Sequence, residues 1–236
     1  SAAWNPDQLK EKKDWVFEVE SVAASHVAKN IKNVFNPNKH FFDYDREEFD
    51  LEPILENIFI AAKKAYFGYG ISLVKGLPRD LLNEKEFKLL IWALGLHLGV
   101  ARPQGVASQY ISEVKAIGMD YRSNAGRGYN SNAKLDFHTD GCDIVGLACY
   151  NKAKQGGQSL IASSVTAWQK LFFERPDLAE VATKNFYFSH NQEQMPGESP
   201  VYVQPLFDIA DGFLFGKWNW NRVRTAQKLE NIPKLT

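Results

Sequence analysis

The chain has 236 residues, 44% hydrophobic and 24% charged, with 28 Lys+Arg against 28 Asp+Glu and a formal net charge of zero. That balance suits one sizeable globular domain, expected over 1–236, and excludes the broad basic face of a nucleic-acid binder. No apolar run approaches the ~18 residues of a membrane span, and the two cysteines make no disulfide framework, so a cytoplasmic setting without membrane contact is expected.

In chain order, residues to about 100 read as helical. Asn5 before Pro6 is a helix start, with Asn as cap and Pro in the first turn. Asp50 is the expected cap of a second helix, in which Ile54, Leu55, Ile58, Ala61 and Ala62 recur at helical spacing and Gly68 can end the run. Ile71 to Leu77 reads as a strand with a turn, and Glu84 to Gly99 as another amphipathic helix. From about 101 onward β patterns take over. Strands are expected in "VASQYISEVKAIG", "DIVGLACY" and "QSLIASS". A helix over "VTAWQKLFFERPDLAEVAT" is interrupted near Pro176. "NFYFSH", "PVYVQPLFDIA" and "GFLFGKW" follow as strands, the last two joined by Asp211-Gly212, a hairpin signal. A final helix is expected near Arg222. The pattern gives an α+β chain with a mostly β core of jelly-roll or sandwich type, flanked by helices. Gly118 to Lys134 is a long Gly/Ser/Asn-rich loop of the kind that forms lids.

That loop runs into "LDFHTDGCD". On a strand, residues i and i+2 share a side, so His138 and Asp140 can point into one cavity while Thr139 points away. An imidazole and a carboxylate make two-thirds of the 2-His-1-carboxylate triad of non-haem iron(II). Five His and 28 acidic residues give roughly 0.6 chance H-x-[DE] matches, so the pair alone also fits a hydrogen-bonded histidine at a strand end.

The run "NSNAKLDFHTDGCDIVGLACYNKAKQGGQSLIASSVTAWQKLFFERPDL" resembles the core of the taurine dioxygenase-like (TauD/TfdA) iron(II)/2-oxoglutarate-dependent oxygenases. The likeness reaches back to "GYGISLVKGLP" and "GLHLGVARPQ" and forward to "PVYVQPLFDIADG" and "NRVRTAQ". It implies a double-stranded β-helix (jelly roll), with His138 and Asp140 as iron ligands. It also implies Ser159 as the hydroxyl that helps hold the distal carboxylate of 2-oxoglutarate, beyond a Gly156-Gly157 turn. The implied activity is a dioxygenase that uses Fe(II), 2-oxoglutarate and O2, releases succinate and CO2, and hydroxylates a small organic substrate. The retained Asp140 favours hydroxylation over halogenation.

Two family features are missing from these residues: a second ligand histidine and a later arginine that pairs with 2-oxoglutarate. His190 is the only histidine after His138, and it lies where the family has no ligand. The expectation is that the residues belong to a longer functional enzyme, with the C-terminal strands of the barrel outside the sequence shown.

For substrate, Arg122, Arg127 and Lys134 in the lid, with Arg102 before it, offer charge to an anionic small molecule; a solvated basic loop is the favoured account of them, because Lys and Arg usually sit at the surface. Tyr129 and Phe137 are candidates for an apolar wall or for core. Trp218 and Trp220 fit core or interface packing, and Cys142 a small buried thiol. His26, His40 and His97 carry no motif. Two other functions fit these residues: a non-catalytic jelly-roll binding protein without a complete metal site, and a zinc hydrolase using His138 and Asp140 with Cys142 or His190. Oligomeric state is not legible.

Overall fold

A computed structural model describes residues 2–103, 109–118, 128–191 and 193–235. These form two compact units, one of Ser1–Arg102 with Cys142–Ser159, the other of Pro103–Gly141 with Leu160–Thr236.

In the first unit, α1 (Pro6–Glu11) starts as expected: Asn5 accepts from the Gln8 backbone, and the Gln8 side chain returns the bond to the Asn5 amide, a capping box. β1 (Val16–Glu18) pairs in parallel with β2 (Leu73–Lys75), Val16 opposite Leu73. Gly76 follows at φ 80°, where a Cβ would collide with the Val19 carbonyl oxygen, so only glycine fits. Between the strands lie α2 (Ser21–Val34) and α3 (Glu52–Phe67). α2 buries Ala24, Val27, Ala28 and Ile31, an i, i+3, i+4, i+7 stripe that makes it amphipathic. α3 ends at Gly68 as expected, but its cap position is Leu51, with no side-chain cap bond. Asp50 instead meets His26 Nε2 at 2.7 Å through its Oδ2. α4 (Glu84–Leu98) is capped by Asn83, whose side chain accepts from the Lys85 and Glu86 amides. Leu89 and Leu90 of α4 are fully buried, as are Val27, Ile31 and Leu51. In the later stretch of this unit, Arg79 holds the backbone: its Nε donates to the Tyr150 carbonyl at 2.6 Å, and its guanidinium lies 4.5 Å from the Tyr150 ring centroid.

In the second unit, Pro176 breaks the expected helix into α5 (Ser164–Glu174) and α6 (Pro176–Ala182). Ser163 caps α5 by accepting from the Thr166 amide at 3.0 Å. β3 (Asn185–Ser189) pairs antiparallel with β4 (Val201–Pro205), and β5 (Phe207–Ala210) with β6 (Phe213–Gly216). The β5–β6 turn is Asp211-Gly212, with φ 51° and 78°, the left-handed pair a tight primed turn demands. α7 (Trp220–Ala226) is capped by Asn219 and buries Val223 and Ala226. Phe188 of β3 is fully buried.

The α+β character is therefore present. Among the described residues, however, the sheets are three two-stranded pairs, with no closed barrel. The expected strands at "DIVGLACY" and "QSLIASS" join no ladder among the described residues; of "VASQYISEVKAIG", 106–108 lie outside the described residues and Gln109 carries a single β-bridge. A strand takes its hydrogen bonds from a partner and not from itself, so β-rich sequence without a paired neighbour stays irregular. Its apolar side chains remain in solvent: Leu147 is 75% exposed and Leu160 66%.

Candidate metal centre

His138 and Asp140 lie in the second unit, on an irregular segment fixed at one point. His138 forms an isolated antiparallel bridge with Asn219. Beside it the Thr139 amide donates to the Trp218 carbonyl at 2.7 Å, and the Trp218 amide donates to Thr139 Oγ1 at 3.0 Å. Continuing this register sets Lys217 opposite Asp140, and Lys217 Nζ donates to the Asp140 backbone carbonyl at 3.1 Å.

His138 Nδ1 lies 2.8 Å from the Asp136 carbonyl oxygen. A carbonyl can only accept, so Nδ1 is the donor in this bond, and in the neutral ring the lone pair is then on Nε2. Metal-binding histidines are commonly oriented this way, through a hydrogen bond from the second ring nitrogen. Both His138 and Asp140 are exposed, and no described residue hydrogen-bonds to the Asp140 carboxylate. One neutral imidazole nitrogen and one carboxylate suit iron(II) in donor chemistry. No group of three His, Cys, Asp or Glu that could hold a metal occurs among the described residues, so they offer two donors and not a closed triad.

The other expected site residues are distributed as follows. Ser159 is exposed and irregular and belongs to the first unit. Gly156 and Gly157 before it both take φ 76°, so a turn that needs glycine is present. Arg122 and Arg127 fall outside the described residues, as does the side chain of Tyr129. Lys134, Arg102 and Phe137 are exposed. Cys142 is also exposed, which corrects the expectation of a buried thiol; it and Cys149 form no disulfide. His190 packs at a tilt against Tyr202 with ring centroids 4.9 Å apart, and burial pushes the Tyr202 phenol above its ordinary value. Trp218 and Trp220 stack at 6.2 Å and are each 39% exposed, so they form a half-open pair and not buried core.

Lys217 and the Thr139 hydroxyl were not legible as site residues. Their role comes from a partner segment nearly 80 positions away, and no local pattern announces that pairing.

Residues 37–229 match the profile of the taurine catabolism dioxygenase TauD, TfdA family. FR-33289 synthase of Streptomyces rubellomurinus is 25% identical over 214 residues, which cover 90% of this chain and 63% of that protein. Taurine hydroxylase-like protein SAT17 of Stachybotrys chartarum is 26% identical over 176 residues, 71% of this chain and 44% of that protein. The chain thus spans less than two-thirds of the length of either relative. It belongs to the TauD/TfdA family, whose members are typically 2-oxoglutarate-dependent dioxygenases with a jelly-roll fold.

Proposed function

We propose that the whole protein is a cytoplasmic iron(II)- and 2-oxoglutarate-dependent dioxygenase that hydroxylates a small, anionic organic substrate. The observation that carries this reading is the family match over 37–229, which contains His138 and Asp140. We assign the residues to one oxygenase domain, a helical part to about 100 and part of a jelly-roll core from about 101 onward. The chain passes between the two compact units at 102/103, 141/142 and 159/160, so neither unit is a continuous segment. The names of the two relatives, a synthase and a hydroxylase-like protein, are in keeping with oxidative chemistry on small molecules.

When bound, iron(II) and 2-oxoglutarate supply the oxidising power, coupling O2 and loss of succinate and CO2 to substrate hydroxylation. The chain's own residues do the holding. The Asp136 carbonyl would orient the His138 ring by accepting from Nδ1, so that Nε2 would be the nitrogen to hold iron(II). Asp140 contributes the carboxylate. The Ser159 hydroxyl donates to the distal carboxylate of the keto acid. We assign Arg122, Arg127 and Lys134 to the attraction of an anionic substrate and Tyr129 to an apolar contact with it.

The test is succinate formation from 2-oxoglutarate by the whole protein with added iron(II), across a panel of small carboxylates, sulfonates and phosphonates. His138→Ala and Asp140→Ala serve as controls. Turnover lost in both variants supports the reading. A wild-type protein that binds small acids but neither iron(II) nor 2-oxoglutarate makes it a binding protein instead.

A further inference from the structure

We infer that Thr139 and Lys217 are positioning residues that set the angle between the His138 and Asp140 side chains. The inference rests on the metal reading above.

The segment bearing the two ligands has no ladder of its own, and it is aligned against residues 217–219. That rail is anchored at both ends. The Lys217 amide donates to the Leu206 carbonyl at 2.8 Å, just before β5. The Asn219 side chain accepts from the Arg222 amide at 3.1 Å and so fixes the start of α7.

The ligand segment is tied to the rail in an irregular way. In a regular antiparallel pair, the Trp218 amide would return its bond to the Thr139 carbonyl. Here it goes to Thr139 Oγ1 at 3.0 Å, while the Thr139 amide still donates to the Trp218 carbonyl. The hydroxyl therefore takes over a main-chain role at the residue between the two ligands. The next fixed point is Lys217 Nζ on the Asp140 carbonyl. Backbone is thus pinned at 138, 139 and 140 in succession. Changing the direction of one ligand's Cα–Cβ bond relative to the other's requires breaking one of these ties.

The experiment is a manganese(II) titration of the whole protein followed by electron paramagnetic resonance, reading both affinity and the line shape of the bound ion. Thr139→Val removes the hydroxyl at nearly constant volume, and Thr139→Ser keeps it. Lys217→Met keeps the apolar stem and removes the ammonium. Groups that orient metal ligands typically contribute about 10–100-fold to affinity. Thr139→Val is expected to weaken manganese(II) binding by about 10-fold and to broaden the bound spectrum. Lys217→Met is expected to act in the same direction, and Thr139→Ser to match wild type. Thermal unfolding of the metal-free proteins separates a general loss of fold, which would lower the midpoint without changing the bound line shape. Wild-type binding with unchanged affinity and line shape in both Thr139→Val and Lys217→Met overturns the inference alone. Absence of manganese(II) binding by wild type overturns the metal reading and this inference with it.

Discussion

The helices of residues 6–98 and the irregular run of residues 133–163 carry similar apolar content and reach opposite outcomes. Helices satisfy their backbone within themselves, so capping and one apolar stripe suffice to bury Ile31, Leu51, Leu89 and Leu90. In the later run, Phe137, Val145, Leu147 and Leu160 stand in solvent, and its fixed points are one bridge at His138 and scattered side-chain contacts such as that of Arg79 with Tyr150. The candidate ligands His138 and Asp140 sit in this second kind of structure. Order there is borrowed from a distant segment, and functional groups are commonly found in loops held by a firmer scaffold.

The contrast can be broken or sharpened by substitution. Leu90→Ala, at a fully buried position, is expected to cost about 2–5 kcal/mol in denaturant unfolding; a cost below about 1 kcal/mol would mean that the helical part is loosely packed. Asn83→Ala removes the side-chain oxygen that accepts from the Lys85 and Glu86 amides at the start of α4 and is expected to cost about 1 kcal/mol.

A smaller effect belongs to His97. Burial pushes its imidazole below the ordinary value of 6.5, the Arg46 guanidinium adds to this, and Glu47 opposes it. Below that pH the unfolded chain binds a proton that the folded chain resists, so stability should fall as pH drops from about 6.5. His97→Leu should flatten that slope in melts taken between pH 7 and pH 5, and an unchanged slope would assign it to other groups. At the bottom of the scale, Leu147→Ala is expected to shift unfolding by no more than about 0.5 kcal/mol, because its side chain is already in water. A cost comparable to Leu90→Ala would show that the run is covered in solution.

Legibility followed the same division. Asn5, Gly68, Pro176 and Asp211-Gly212 each act on their immediate neighbours, and each was readable as a cap, a stop, a break or a turn. Asp50 was read by the same logic and failed, because His26, 24 positions away, takes its carboxylate. Among the described residues, "DIVGLACY" and "QSLIASS" stay outside any sheet, because pairing depends on a partner that local pattern does not name. At the site, "HTD" was conspicuous once set beside the family's motifs. The Asp136 carbonyl, the Thr139 hydroxyl and Lys217 were not, since their roles arise only when 217–219 is laid against 138–140, 77 positions from Asp140 to Lys217.

The central claim is that His138 and Asp140 hold the metal of a 2-oxoglutarate-dependent oxygenase. Its most direct test is iron(II) binding by the whole protein, measured anaerobically with 2-oxoglutarate present, for wild type against Asp140→Ala. The account predicts stoichiometric binding by wild type and a loss of more than about 100-fold in the variant, beyond what the orienting groups alone contribute. Equal binding by the two proteins would contradict it.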